Sequence, residues 1–282
     1  LACLAFLGGA FFVVARHKTT PQPRRVVYYY TWGLYQQRGR GKKEEVRTLL
    51  FVDADGQERP QSSIDLKAPH ELRLAYTRSL FSTLLLRPKH DRILVVGLGG
   101  GGMVRFANHA LTGTHVDAVE IDPAVVEVAE KFFGTASGPR TSIFTEDAFD
   151  FIGRAQEPYD VIYMDAFLRP PKDSRLGELP ARLRTSSFLR QLAGHLKPGG
   201  LVAFNLVRTD LSTAADLAVI TESFPTVYQF TVAGTGNLVV IGADATKKLS
   251  RAQIEAAALR LEAGKIDLPF VEMAGALIEG PS

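Results

Sequence analysis

An α/β fold around a mostly parallel sheet is the class this sequence predicts, and two observations predict it. Residues 92–122 read as an apolar strand (Ile93 to Val96), a glycine cluster (Gly97, Gly99, Gly100, Gly101, Gly102), a helical stretch, a second apolar strand (Val116 to Val119) and the acidic pair Glu120 and Asp122. Three more apolar runs, at 142–144, 159–164 and 201–206, follow at intervals that leave room for helices. Strands alternating with helical segments build βαβ units and hence a parallel sheet.

The elements follow in order. Residues 1–15 are almost wholly apolar and lead into Arg16-His17-Lys18, and the chain begins without Met. Fifteen residues fall short of the roughly 20 needed to span a bilayer. The end of a truncated membrane helix, a signal-peptide core and a buried helix all fit. The basic residues after the run favour the first, a membrane-anchor remnant at 1–18 that leaves the rest in the cytoplasm. Residues 19–25, with two prolines, form a linker. Val26 to Tyr30 and Val46 to Val52 are β-type runs around a turn-rich tip, and Asp53 to Gly56 is a turn. The basic cluster Arg38, Arg40, Lys42 and Lys43, followed by Glu44 and Glu45, reads as a solvated hairpin tip. Helical spacing covers 72–86, 213–223 and 251–263. Lys197-Pro198-Gly199-Gly200 reads as a turn before the strand at 201–206, and 159–164 has the composition of a strand buried on both faces.

Composition sets limits. The 282 residues suit one large α/β domain with a small accessory one. With 33 basic and 30 acidic residues the net charge of +3 is too small to imply nucleic acid. The single cysteine, Cys3, excludes an intrachain disulfide framework, and the six histidines have no metal-site spacing.

The glycine cluster and the acid after the next strand belong together. Glycines let main chain approach a ligand closely, and an acid about 20 residues later can accept from both ribose hydroxyls. Gly97, Gly99 and Gly102 satisfy GxGxxG formally, so NAD stays open on this motif alone. A third strand ends at Glu146-Asp147-Ala148, where an Asp can accept from the exocyclic amine of adenine. A fourth ends at Asp165-Ala166-Phe167.

The series ILVVGLGGG, VEIDPAVVEVAEKFF, EDAFDF, YDVIYMDAF and LKPGGLVAFN resembles the spermidine synthase (polyamine aminopropyltransferase) family. The likeness runs in order over about residues 26 to 245. It implies a Rossmann-like S-adenosylmethionine-dependent transferase fold at 69–282 and a small N-terminal β-domain at 26–68 that helps to cover the co-substrate and mediates homodimerisation. It implies decarboxylated S-adenosylmethionine or S-adenosylmethionine as co-substrate, no metal, and an amine or other nucleophile as acceptor. By position, Gln36, Gly97, Gly99, Gly101, Glu120, Ile121, Asp147 and Ala148 would bind the co-substrate. Asp165 would be the base, with Tyr76 beside it in the cleft. Tyr228 and Arg78 would line the acceptor side, and residues 168–183 would form a lid.

Aminopropyl transfer needs an amine freed of its proton, so a carboxylate must take that proton. The departures from the family pattern bear on this. Gly100 stands where the family's G-G-G-D-G-G places an Asp that holds the free amine of the decarboxylated co-substrate. Thr77, followed by Arg78, stands in place of an acidic or amide residue, and Asp165 to Pro170 lacks the second Asp of D-S-S-D-P. Fewer carboxylates, with Arg78 and Arg169 near, disfavour a polycation and tolerate an anionic group. Three readings follow: an aminopropyltransferase, a methyltransferase on the same scaffold, and a non-catalytic nucleoside-binding domain.

Overall fold

The computed structural model describes residues 2–7, 10–17, 30–38, 45–52, 58–155, 157–166, 181–208 and 212–279. Two sheets organise them. The first is antiparallel, with β1 (Ala2–Leu7), β2 (Ala10–His17), β3 (Tyr30–Arg38), β4 (Glu45–Val52) and β5 (Glu58–Asp65) in chain order. The apolar N-terminus is therefore not a segment apart from the β-domain. Its β2 registers on β3 from Phe12 opposite Tyr35 to His17 opposite Tyr30. The run Phe11-Phe12-Val13-Val14 supplies the aromatic and β-branched residues that strands favour. Among the described residues no helix is long and apolar enough to cross a membrane. The linker at 19–25, the basic tip at 39–44, the turn at 53–56 and Arg169 lie outside the described residues, as does most of the lid segment.

After the first sheet come two short helices, α1 (Ala75–Leu80) and α2 (Thr83–Leu86), where one helix was expected; the chain turns between them at Phe81 and Ser82. Then follow β6 (Arg92–Val96), α3 (Gly102–Ala110), β7 (His115–Glu120), α4 (Pro123–Phe133), β8 (Thr141–Thr145), α5 (Ala148–Arg154) and β9 (Tyr159–Met164). A 3-10 turn (Ala181–Arg184) leads to α6 (Ser186–Gly194), β10 (Leu196–Val207), α7 (Ser212–Ser223), β11 (Thr226–Thr231), β12 (Asn237–Ala243), α8 (Arg251–Glu262) and α9 (Phe270–Gly275). The second sheet has the order β11-β12-β10-β9-β6-β7-β8, with β12 antiparallel to both its neighbours. The residues expected as a turn at 197–200 are instead a bulge inside β10. Gly199 takes φ +69°, and the register against β9 shifts between Leu196 and Leu201.

The central strands are largely apolar because helices cover both faces. One face packs under α1, α2, α3, α8 and α9 through Phe81, Phe106, Tyr163 and Phe270. The other packs under α5, α6 and α7 through Phe151, Phe188 and Phe224. A third, smaller cluster of Leu49, Ile64, Val128 and Phe133 joins the first sheet to α4.

Chain order reverses between β6 and β9, and in open parallel sheets a ligand crevice forms outside the strand ends at such a point. At the opposite end of these strands sits Asp160, with no exposed side-chain surface. It accepts from Arg87 Nη2 at 2.5 Å, from the main-chain N–H groups of Asp91 and Arg92 at 2.8 Å each, and from Lys197 Nζ at 2.9 Å. Burial alone would push its pKa up, but Lys197, the two N–H groups and Arg87 outweigh burial and hold it down at about 2.

Replacing Asp160 with Ala is expected to destabilise the fold by about 3 kcal/mol or more, since partners of a buried carboxylate lose it. Urea unfolding checks this. Because its pKa is depressed, Asp160 contributes fully above the ordinary Asp value of about 3.9, and the contribution is lost as pH falls toward about 2. The loss of stability between those values should therefore be shallower in the Ala variant.

Candidate active site

Gly97 leaves β6 with φ +93°, and its N–H donates to Val119 O at 2.8 Å. A Cβ at this position would lie 2.5 Å from Asp165 O. Asp165 N in turn donates to Val96 O at 2.9 Å. The turn after β6 and the end of β9 thus touch main chain to main chain, which only glycine allows here. Gly99 (φ +52°) and Gly101 (φ +74°) also have positive φ and carry the turn into α3.

The turn is gripped from outside. Gly100 N donates to Ser62 Oγ on β5 at 2.8 Å, and Gly100 O accepts from Thr135 Oγ1 at 3.0 Å and from Arg105 Nη1. Arg105 also donates to Pro69 O at 2.8 Å, and burial lowers its pKa to about 10. Gly100 itself packs on Phe133, whose ring would lie 2.7 Å from an added Cβ. The space where the family pattern has an Asp is therefore filled.

Glu120 closes β7 beside this turn. Its Oε2 accepts from Leu98 N at 3.0 Å and its Oε1 from Asp122 N at 3.1 Å. Burial pushes its pKa up, while N–H groups of Leu98, Asp122, Gly99 and Ile121 oppose the rise. The next residue, Ile121, is 56% exposed, an apolar side chain left facing outward at the strand's end. Asp147 caps α5, with Oδ1 accepting from Phe149 N at 2.9 Å, and Ala148 is buried. The second oxygen of Asp147 takes Arg182 Nη1 at 2.9 Å, and that guanidinium lies 4.7 Å from the Phe149 ring centroid.

Asp165 lies against Gly97 and two polar side chains, Tyr76 and Asn205. Tyr76, projecting from α1, donates a long hydrogen bond to Oδ2 at 3.4 Å. Asn205 Nδ2 donates to Oδ1 at 2.9 Å, and Asn237 Nδ2 donates to Asn205 Oδ1 at 2.8 Å. Burial raises Asp165 to about 7, with Asn205 and Tyr76 opposing. Burial and the neighbouring carboxylate raise Tyr76 well above its ordinary value.

Most of the residues singled out from the sequence converge at the ends of β6, β7, β8 and β9, but the side chains of Tyr228 and Arg78 are engaged elsewhere. Tyr228 is buried in β11, and its hydroxyl accepts from Leu249 N at 2.7 Å, so it packs the edge of the sheet. Arg78 donates to Leu72 O at 2.6 Å and Arg73 O at 3.2 Å. Helical side chains point toward the N-terminus, which turns this one back onto the preceding loop. Gln36 sits on β3 opposite Arg47. The residues that sequence reasoning missed are Ser62, Arg105, Phe133, Thr135, Asn205 and Asn237. One signal was readable for Asn205, a lone amide in an otherwise apolar strand.

The chain is similar to known transferases. The spermine/spermidine synthase domain matches residues 74–213. A polyamine aminopropyltransferase from Vibrio vulnificus is 32% identical over 215 residues, which cover 74% of this chain and 69% of that protein. The human eEF1A lysine and N-terminal methyltransferase is 35% identical over 157 residues, covering 52% of this chain but only 22% of that much longer protein. The solved structure of human methyltransferase-like protein 13 in complex with SAH superposes with a TM-score of 0.56 at 30% identity, covering 67% of this chain and 87% of that one.

Gly100→Asp should lower the melting temperature, because the new Cβ meets the Phe133 ring; overpacking of this kind costs about 1–3 kcal/mol. Adding Phe133→Leu should restore part of the loss. Calorimetric melting of the single and double variants checks both expectations.

Proposed function

This chain belongs to the spermine/spermidine synthase family of transferases, and from that premise we propose that it moves an alkyl group from a sulfonium nucleoside of the S-adenosylmethionine type to an amine, with Asp165 as the proton acceptor. The observation that carries the reading is a half-buried carboxylate at the switch point, raised to about 7 and held between Asn205 and Tyr76. A base poised near neutrality can strip an ammonium and still release the proton afterwards. The acceptor's N–H bond breaks toward Asp165, the freed pair forms the new N–C bond, and the C–S bond breaks with its pair going to sulfur. Glu120 takes the ribose hydroxyls, Ile121 lies under the adenine, and Asp147 meets its exocyclic amine. The last role requires the carboxylate to be shared with Arg182 or taken from it. The positive-φ turn from Gly97 to Gly101 lets the sulfonium tail approach main chain.

The family and the amine-handling site favour aminopropyl transfer. Methyl transfer from intact S-adenosylmethionine is the second reading, and Gly100 against Phe133 favours it. The carboxylate that would hold the free amine of the decarboxylated form is absent and its space is occupied. The solved neighbour is a methyltransferase-like protein holding SAH, and a second relative is named as a methyltransferase of lysine and N-terminal amines, so an amine acceptor suits both readings.

Titration calorimetry of the full chain with decarboxylated and intact S-adenosylmethionine separates the two. Tighter binding of the decarboxylated form supports aminopropyl transfer, tighter binding of the intact form supports methyl transfer, and binding of neither overturns the proposal. Glu120→Ala should weaken S-adenosylhomocysteine by about 1.5–3 kcal/mol, the worth of a charge-assisted hydrogen bond. Asp165→Asn should cut turnover by about 10²–10⁴-fold while leaving nucleoside affinity nearly unchanged. The raised value of Asp165 sets the sign of the pH dependence. Only the ionised form accepts a proton, so kcat/KM should rise as pH increases toward about 7 and level off above it.

A further inference from the structure

We propose that Asn205 and Asn237 are a positioning relay that reserves Oδ2 of Asp165 for the proton taken from the acceptor. The proposal rests on the reading of Asp165 as the base, and it adds two residues and a direction to it.

The relay crosses three adjacent strand positions: the end of β9, then β10, then β12. Asn205 is 1% exposed in a strand whose neighbours Ala203, Phe204 and Leu206 are buried apolar residues. Its Cα lies opposite Val239, and Asn237 lies opposite Val207, so both amides come to the sheet edge where Asp165 sits. A buried amide is tolerated only when its donors and acceptor are engaged. Here the engagement has one possible polarity. An ionised carboxylate only accepts, so Asn205 must turn its NH₂ toward Asp165, and does so at 2.9 Å. That leaves the Asn205 carbonyl facing Asn237, which must donate, and does so at 2.8 Å. Asn237 is itself tied down by its main-chain N–H, which donates to Thr235 Oγ1 at 3.1 Å.

The consequence falls on Asp165. Oδ1 is committed as the acceptor of an N–H, and a proton arriving there would point at the Asn205 NH₂. Among the described residues Oδ2 takes the long Tyr76 contact alone, at 3.4 Å. The transferred proton therefore forms its O–H bond at Oδ2, as the acceptor's N–H bond breaks, and leaves from the same oxygen to solvent. Among the described residues the titratable side chain facing Asp165 is Tyr76 from α1, and the neutral donor is Asn205 from β10. Losing the Asn205 donor removes stabilisation of the charged form only, so the carboxyl must then titrate at higher pH.

The test is ¹³C NMR of the full chain labelled at aspartate carboxyls, titrated from about pH 4 to about pH 9, spanning the perturbed carboxylate range. The Asp165 resonance is the one missing from Asp165→Asn. In Asn205→Leu its midpoint should rise by about one unit. In Asn237→Ala, where Asn205 keeps its donor but loses its orientation, it should rise by less. Should Asn205→Leu fail to fold, Asn237→Ala decides alone. Midpoints equal to that of the unsubstituted chain in the folded variants overturn the relay. Failure of the base assignment reads differently: Asp165→Asn would keep its turnover, whatever the midpoints do.

Discussion

The contact on which the rest of the site depends is the close approach of Gly97 to Asp165. Two loops from strands at the centre of the sheet meet main chain to main chain, with Asp165 N on Val96 O and no room for a Cβ between them. This brings the glycine turn after β6 and the carboxylate-bearing end of β9 side by side. A larger residue at Gly97 would push the end of β9 away, and with it Asp165 from Asn205 and Tyr76. The spacing of turn and strand end is thus set by the absence of one methyl-sized group.

The opposite end of the same strands is held by a different force. Asp160 gathers Arg87, Lys197 and two main-chain N–H groups, fixing where β6, β9 and β10 begin. Between that charged anchor and the glycine turn lies apolar packing on both faces, which admits few rotamers and little sliding. The strands are pinned at one end by charge and at the other by a glycine, so the crevice inherits its shape from both. The first sheet adds the outer wall: Ser62 Oγ holds Gly100 N, while Leu49 and Ile64 pack with Val128 and Phe133 of α4.

The chain's departures from its family also have a common physical sense. Where the pattern would place a carboxylate, Gly100 lies against a buried aromatic ring, and the loop is held by neutral hydroxyls and by Arg105. Arg78 holds the loop before α1 through Leu72 O and Arg73 O. At Gly100 it is the Phe133 ring, a steric obstacle, that takes the space of a carboxylate.

The sequence by itself determined the sheet's parallel centre, the glycine turn, Glu120 at the end of β7 and Asp165 at the end of β9. These features are local: strand, turn and acid lie within a few residues of each other, so periodicity and residue type reveal them. It also misled where a local signal had two outcomes. The apolar N-terminus, short for a membrane span, pairs as β1 and β2, and the Pro-Gly-Gly segment bulges inside β10 in place of ending it. Tyr228 and Arg78 carried the right chemistry for a site and point elsewhere. What only the tertiary structure decided is which distant side chains meet. Ser62 reaches Gly100 across 38 residues of chain, Phe133 fills the space beside it, and Asn205 and Asn237 arrive at Asp165 from β10 and β12. Strand order and register bring these partners together, and both are products of the packed sheet; no spacing along the chain encodes them.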